Sequence, residues 1–457
     1  MRFARASAGT FATQVVGVGV RVLWGALVAR VLEPENKGVQ TIATTTAMML
    51  VAAGNLGLAQ AIVYFTASRR GEPRRLVGIG AVSAVALGMV LAVVCWLLRP
   101  WLLSFGAFRG VTPAVLAVAV TIPGAMLLQA HMQGVVRGLA RISWYNLNDL
   151  LVRFSSLAAV VVLMVVWRGG IRGALASQTF GYLVPALVTA WLLRREFGVL
   201  WRPGGALLRQ LLGYGIRAHP QTAADFLNAQ RLDMFVLAHF YAHDTKQVGY
   251  FSVAVAAAGL LWFTSDAVGT VLLPVASAGT EEQANRFSPQ VCRHTIFLTT
   301  LAGAAMMLLV RPATWLVYGE AYMPAVNAIL VLVPGFVVYS ITKVLVRDLA
   351  GRGLPLIPSL ATVANVLVSL GLDFVLIPRF GILGAALAYT VACVVGTAIV
   401  LPVFLLRAGV SLSDTLLIRR SDFGVYRRAW RTILGGEGAA PEPPGPGPLD
   451  GTTSGLQ

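Results

Sequence analysis

Five cationic side chains interrupt stretches of sequence that are otherwise apolar: Arg21, Arg153, Arg217, Arg231 and Lys343. A cation at the centre of a membrane span costs about 2.5–3.5 kcal/mol on insertion scales, so it faces a counter-ion, a wet cavity or an anionic ligand rather than lipid. The guanidinium fork of arginine also matches a phosphate group with two parallel hydrogen bonds. These residues therefore indicate binding of a phosphate-like anion at membrane depth.

The five cations differ in what could neutralise them. Asp149 precedes Arg153 by four residues, so the two share a helical face and can form an ion pair. The sequence leaves two interpretations of Arg217 open. It can bind an anion, or its long side chain near the start of a span can snorkel to the membrane surface. Arg21 has no acidic neighbour within one turn, and Asp233 is two residues from Arg231, on a different face of a helix.

We predict that Arg21 and Arg231 face each other and form the anion site. Lys343 is predicted to add a third cation, and the predicted substrate-binding set also includes Arg217 and Arg30. Acidic residues of the second half are candidates for ion coupling or for counter-ions: Asp233, Asp225 and Asp266.

These charges must be positioned by membrane-spanning helices. Hydrophobic residues make up 57% of the 457 residues, charged residues make up 12%, and the mean hydropathy is +0.75. Such a chain has too little polar surface to cover a water-soluble globule. A span needs about 20 mostly apolar residues. Twelve segments fit, which predicts an all-α polytopic membrane protein: 9–31, 38–68, 77–98, 111–136, 144–167, 173–193, 212–240, 247–265, 294–310, 321–342, 353–372 and 380–406.

The orientation follows from the placement of lysine and arginine. With the N-terminus inside, the inside segments hold 22 of the 36 cations, and the outside segments hold nine, Arg30 and Lys37 among them. Cytoplasmic loops of membrane proteins carry the excess of cations. Both termini are therefore predicted to be cytoplasmic.

The two halves of the chain repeat each other at an offset of 211 residues. Arg168-x-Gly-Ile-x-Gly-Ala recurs as Arg379-x-Gly-Ile-x-Gly-Ala, Pro123-Gly124 recurs as Pro334-Gly335, and Gly38 falls on Gly249. An even number of spans separates equivalent helices, so the repeat is parallel. Transporters are often built this way, with the substrate between the halves. The prediction is two pseudo-symmetric six-helix lobes, residues 1–200 and 201–407.

The C-terminal tail has two parts. Residues 408–435 contain apolar side chains at helical spacing with arginines on the other faces, which predicts a basic amphipathic segment on the cytoplasmic side. It either lies on an anionic leaflet or docks on the lobe. Residues 436–457 are rich in proline and glycine and are predicted to be disordered.

Three segments resemble a known family. They are Ala29-Arg-Val-Leu-x-Pro34-Glu with Asn55-Leu-Gly-Leu, Arg231-Leu-Asp with Val248-Gly-Tyr, and Ile377-Pro-Arg-Phe-Gly-Ile-x-Gly-Ala-Ala. The order and spacing resemble the oligosaccharide (O-antigen type) flippases of the multidrug/oligosaccharidyl-lipid/polysaccharide exporter superfamily, over about residues 5–407.

The resemblance implies a cavity lined by the first-helix and seventh-helix arginines and open alternately to each side. The implied substrate is an undecaprenyl-pyrophosphate-linked oligosaccharide, moved from the cytoplasmic to the periplasmic leaflet of the bacterial inner membrane for surface polysaccharide synthesis. Membrane lipids and polysaccharide polymerase or assembly proteins are the implied partners, and the expected state is a monomer.

Three other functions compete with this one. A cation-coupled drug antiporter of the same superfamily would use acidic cavity residues such as Asp373. A lipid II flippase often has two more helices. A glycan polymerase or ligase usually carries a large external loop.

The expectation is a non-enzyme without cofactor, since no Walker motif is found. The three cysteines lack the spacing of a zinc site, so no metal is expected. The cations lie between apolar runs, so nucleic acid is not an expected partner.

Overall fold

The protein is a bundle of α-helices, with no strand in the part of the chain that the structure describes. The structure is a computed structural model and describes residues 2–200, 205–230, 232–263, 265, 281–352, 354, 356–419 and 422. The expected all-α membrane architecture is confirmed. Within these residues, nine helices are long and apolar enough to cross a membrane.

The first half contains eight α-helices. They are α1 (Arg2–Gly54), α2 (Leu58–Ala67), α3 (Pro73–Leu97), α4 (Arg99–Ser104), α5 (Pro113–Ala119), α6 (Thr121–Gly138), α7 (Ile142–Val160) and α8 (Gly170–Phe197). The second half contains α9 (Gly205–Gln230), α10 (Asp233–Phe240), α11 (Lys246–Ala258), α12 (Glu281–Tyr318), α13 (Ala325–Gly351), α14 (Leu356–Phe380), α15 (Ile382–Ala408) and the short α16 (Leu412–Leu416).

Helix α1 combines the first two predicted spans. Its largely apolar stretch Thr13–Gly54 is 42 residues long, about twice what one crossing needs. Glu33 has φ 58 and ψ 169, and Pro34 follows it. The left-handed residue and the proline, which lacks a backbone N–H, break the hydrogen-bond ladder and kink the helix. The chain thus reverses at Glu33 without a loop.

The remaining predicted spans correspond to less regular segments. The seventh corresponds to α9, which ends at Gln230, and α10, which begins at Asp233, and the described part of the eighth includes the apolar helical stretch Lys246–Leu261. The number of twelve spans therefore stays a prediction. The repeat is visible in the helices themselves, because α8 ends at Phe197 and α15 ends at Ala408, which are 211 residues apart.

The halves are joined at one end of the bundle, which we call the outer end and which carries Glu33, Thr245 and Tyr322. There a single apolar core contains side chains of both halves, such as Val39 and Phe251. At the opposite, inner end, the described core of the second half runs from Val291 to Ala408 and contains no described residue of the first half. The inner core of the first half includes Leu211 of α9, and the Tyr64 ring of α2 stacks on that of Tyr214 of α9 at 4.6 Å.

Candidate functional site: a cationic cavity

A cavity of about 590 Å³ opens between the kinked helix α1, helices α7 and α8, and the facing ends of α10 and α11. Among the described residues, its charged lining consists of Arg21, Lys37, Arg153 and Asp149, which gives an excess of two positive charges. Hydroxyl and amide side chains supply most of the remaining polar lining: Gln40, Thr41, Thr44, Thr45, Ser156, Gln178, Tyr182 and Ser252.

Arg153 crosses from α7 to α1 at the wall of this cavity. Its Nε and Nη2 donate to Oδ2 of Asp149 at 2.9 and 2.8 Å, which confirms the predicted pair on one helical face. Its Nη1 donates to the carbonyl oxygen of Gly17 at 3.2 Å. A Cβ at position 17 would lie 2.7 Å from the Arg153 Nε, so glycine leaves the room that the guanidinium occupies.

Lys37 is the main residue that the sequence misplaced. The sequence prediction assigns Lys37 to an outside segment. In the structure it lies in α1 past the kink, with its side chain half-buried in the cavity wall. Its Nζ donates to Oε1 of Gln40 at 2.6 Å. The amides of Gln40 and Gln178 both donate to the hydroxyl of Thr44, at 2.8 and 3.1 Å, and so connect α1 to α8. Because the chain reverses at a kink rather than in a loop, Lys37 lies one helical turn past Glu33 and still lines the cavity.

Arg21 lies on the opposite side of the kink in α1 and lines the same cavity. Tyr182 of α8 lies close enough to Arg21, Arg153 and Asp149 to interact electrostatically with all three. The predicted partner of Arg21, Arg231, lies outside the described residues, so their facing arrangement stays a prediction. The cation that the structure does place with Arg21 is Arg153, which the predicted substrate-binding set did not include.

The other predicted cations are elsewhere. Lys343 lines a separate cavity of about 140 Å³ between α13, α14 and α15. Arg217 is exposed on α9 and is not among the residues that line the main cavity. Arg30 donates from Nε to the carbonyl oxygen of Val317 at 3.0 Å and from Nη2 to that of Leu316. It thereby satisfies carbonyls that lack helical partners at the C-terminus of α12 and ties the two halves together at the outer end.

Two carboxyl groups meet in the second half. Asp233, at the first position of α10, is 4% exposed and its Oδ1 accepts a hydrogen bond from the backbone N–H of Met234 at 3.0 Å. Asp373 of α14 is fully buried, interacts electrostatically with Asp233, and has no hydrogen-bond partner on either oxygen in the described part of the chain. The side chain of Asp225 and all of Asp266 lie outside the described residues. Among the residues described, no three metal-ligating side chains form a cluster.

Comparisons with known proteins agree with this architecture. The chain is similar in structure to lipid II flippase MurJ in an inward closed conformation, with a TM-score of 0.72 and 14% identity. The match covers 94% of this chain and 96% of the MurJ chain. An inward-facing multidrug resistance MATE family transporter of the MOP superfamily gives a TM-score of 0.67 at 17% identity, over 85% and 94% of the two chains. At these identities the likeness establishes a shared two-lobe fold.

Sequence relatives place the chain more narrowly. It is 23% identical over 257 residues to "Probable low-salt glycan biosynthesis flippase Agl15" of Haloferax volcanii, a match that spans about half of each protein (52% of both). The model of the polysaccharide biosynthesis protein family matches residues 4–279, which is more than half of the chain. Together with its apolar helices, this match shows that the chain is a multi-pass membrane protein that belongs to the polysaccharide biosynthesis protein family.

Proposed function

We propose that the protein is a flippase that moves an undecaprenyl-pyrophosphate-linked oligosaccharide from the cytoplasmic to the periplasmic leaflet of a bacterial inner membrane. The observation that carries the proposal is the cavity between helices long and apolar enough to cross a membrane, where Arg21, Arg153 and Lys37 outnumber Asp149 among the described lining residues. The family match and the flippase named among the relatives support the same class of cargo.

The chemistry of the cavity suits such a headgroup. A pyrophosphate has to cross about 30 Å of hydrocarbon, where an uncompensated charge is costly. The guanidinium group of Arg21 can bind it with bidentate hydrogen bonds, and Arg153, whose fork is engaged by Asp149, adds charge. The hydroxyl and amide groups beside them can bind sugar hydroxyls. A volume of about 590 Å³ lies within the range of small-ligand sites, about 300–1,000 Å³, so it accommodates the pyrophosphate and the first sugars rather than a long glycan.

A core shared by both halves at the outer end, and inner cores that are linked through α9, fit alternating access. In the orientation predicted from the cations, with both termini cytoplasmic, this conformation is closed toward the periplasm. We propose that Arg217, exposed on the inner part of α9, and Arg231 meet the headgroup on its way to Arg21. The outward step would separate the contact between Arg30 and α12.

Asp233 is proposed to couple transport to a cation or proton. Two buried carboxylates in electrostatic contact cannot both stay ionised unless a cation or a proton lies between them. Both oxygens of Asp373 can bind that cation or proton, because neither has a hydrogen-bond partner in the described part of the chain. Asp225 and Asp266 remain proposed as further acidic residues of this pathway. This acidic pair also supports the second candidate function, a cation-coupled drug antiporter, but the excess of positive charge in the main cavity favours an anionic cargo.

Proteoliposomes that contain the protein and an undecaprenyl-pyrophosphate-linked, fluorescently labelled oligosaccharide test the proposal. The rate at which the glycan becomes sensitive to a membrane-impermeant glycosidase measures its transfer to the outer leaflet. Wild-type protein should accelerate this rate over protein-free liposomes, and Asp233→Asn should remove its dependence on an ion gradient. No acceleration, together with accumulation of a labelled cationic drug, would establish the antiporter instead.

A further inference from the structure

The small cavity that contains Lys343 is chemically unlike the main one. It lies toward the inner end of the second half, has a volume of about 140 Å³, and brings together Lys343 and Arg347 from successive turns of α13 with Asn365 of α14. The Lys343 ammonium also lies 5.0 Å from the centre of the Trp262 ring. None of the described residues that line this cavity is acidic.

The threonine hydroxyl groups at the cavity are already used as donors. Thr397 donates to the carbonyl oxygen of Cys393 at 2.8 Å, so the 2.6 Å contact between Thr342 and Thr397 is a donation from Thr342. Thr362 donates to the carbonyl oxygen of Pro358 at 3.0 Å.

Asn365 has donors to spare. It is 3% exposed, and its Nδ2 has no acceptor in the part of the chain that the structure describes. A buried amide without an acceptor costs about 1–3 kcal/mol. Next to two cations, an anionic oxygen would remove that cost.

The internal repeat shows that the scaffold does not require cations here. At the offset of 211, Lys343 and Arg347 of α13 fall on Met132 and Val136 of α6, two apolar side chains that are fully buried. The same helix position therefore packs well with apolar residues in the first half. The cations of the second half are therefore a difference between two otherwise equivalent helices, and the packing of that helix position does not require them.

We propose that this cavity is a second anion site, which binds a single phosphate group through Lys343, Arg347 and Asn365. The planar guanidinium gives bidentate geometry and the ammonium adds a point charge. The cavity has less than a quarter of the volume of the main one, so a phosphate fits and an oligosaccharide does not. The site stands whether or not the protein is a flippase, because it is defined by binding alone.

Titration of inorganic phosphate into the full-length protein in phosphatidylcholine nanodiscs tests this site. The background is Arg21→Ala, which removes an arginine of the main cavity, and the variants are the double substitution Lys343→Met/Arg347→Val, taken from the first half, and the isosteric Asn365→Asp. We expect the background protein to bind phosphate and both variants to bind it at least about tenfold more weakly, a loss of about 1.4 kcal/mol. Arg195→Met, at an exposed inner-end cation, should leave the affinity unchanged.

The absence of phosphate binding in the Arg21→Ala background, or equal binding after Asn365→Asp, would overturn the proposal. Since Asn365→Asp changes no volume, it decides the question even if the double variant does not fold.

Repeating the titration in phosphatidylglycerol nanodiscs identifies the source of the phosphate. Weaker apparent binding of inorganic phosphate there supports a site filled by a lipid headgroup, and unchanged binding supports a phosphate that arrives from solution or on the cargo.

Discussion

Gly38 and Gly249 occupy equivalent positions in the two halves, and each touches the backbone of the other half. A Cβ at Gly38 would overlap the carbonyl oxygen of Thr245 and lie 3.3 Å from the backbone nitrogen of Gly249, and a Cβ at Gly249 would overlap the carbonyl oxygen of Pro34. Pro34 and Thr245 are themselves 211 residues apart. The pseudo-twofold axis of the repeat therefore passes through this contact, where the closed outer end depends on the absence of two side chains.

Gly38→Ala should prevent closure of the outer end and reduce glycan transfer about tenfold, because even about 1.4 kcal/mol against the closed state has that effect. The obstacle is a backbone carbonyl, which cannot rotate away as a side chain can. The glycosidase assay in proteoliposomes measures the loss. Gly25→Ala is the matched control in the same helix, since a Cβ there meets nothing within 4 Å and alanine favours a helix over glycine. Equal transfer by both variants would contradict the closure model.

Arg21→Ala should abolish glycan transfer while leaving the amount of folded protein near that of the wild type. Arg21 is exposed to the cavity rather than packed in the core, so its loss removes an anion ligand without opening a void. Arg21→Lys should restore transfer only partly, because an ammonium lacks the bidentate geometry. The sequence pattern extends the same expectation to Arg231→Ala. Normal transfer by both alanine variants would rule out the arginine site.

Arg153 can be tested for a role beyond its ion pair. Arg153→Met leaves Asp149 without its partner and should lower the thermal unfolding midpoint, whereas Arg153→Met/Asp149→Asn should recover most of that loss, since it removes the uncompensated carboxylate. If Arg153 binds the cargo, the double variant stays deficient in transfer despite its recovered stability. Recovery of transfer along with stability would assign the pair to the scaffold.

The C-terminal segment should undock from α12 in acid. Arg293 donates from Nε to Oδ2 of Asp422 at 2.8 Å, and both side chains are 6% exposed. These hydrogen bonds hold the pKa of Asp422 below its ordinary value. A carboxyl with a depressed pKa stabilises the folded state above its unfolded pKa of about 3.9, and that contribution is lost as the pH falls through the folded pKa. Amide exchange of residues 411–419 should therefore accelerate below about pH 4, and Asp422→Asn should remove this pH dependence.

Truncation separates the two parts of the tail. A chain that ends at residue 410 loses Asp422 and leaves Arg293 buried without its carboxylate, so it should unfold at a lower temperature while retaining the cavity residues and measurable transfer. A chain that ends at residue 422 keeps the pair and should match the wild type in both properties. The predicted disordered segment 436–457, and most of the predicted amphipathic segment 408–435, lie outside the described residues. Loss of transfer in the longer truncated chain would show that these residues act in transport.

The sequence by itself determined the class of protein and its local structure. Hydropathy predicted the apolar helices, the offset of 211 predicted equivalent helix ends such as Phe197 and Ala408, and a spacing of four residues predicted the pair of Asp149 with Arg153. Each of these properties depends on residues within one helix or on one regular period. The charge excess likewise indicated an anionic ligand before any cavity was known.

Only the tertiary structure decided which charges share a site. It grouped Arg21 with Arg153 and Lys37, moved Lys343 to a cavity of its own, and assigned Arg30 to carbonyls of α12. Sequence spacing fixes depth and helical face, but the distance between two side chains on different helices depends on how the helices cross and rotate against each other. Here the kink at Glu33 and the backbone contact of Gly38 with Gly249 set that arrangement, because they fix how the helices of the two halves cross.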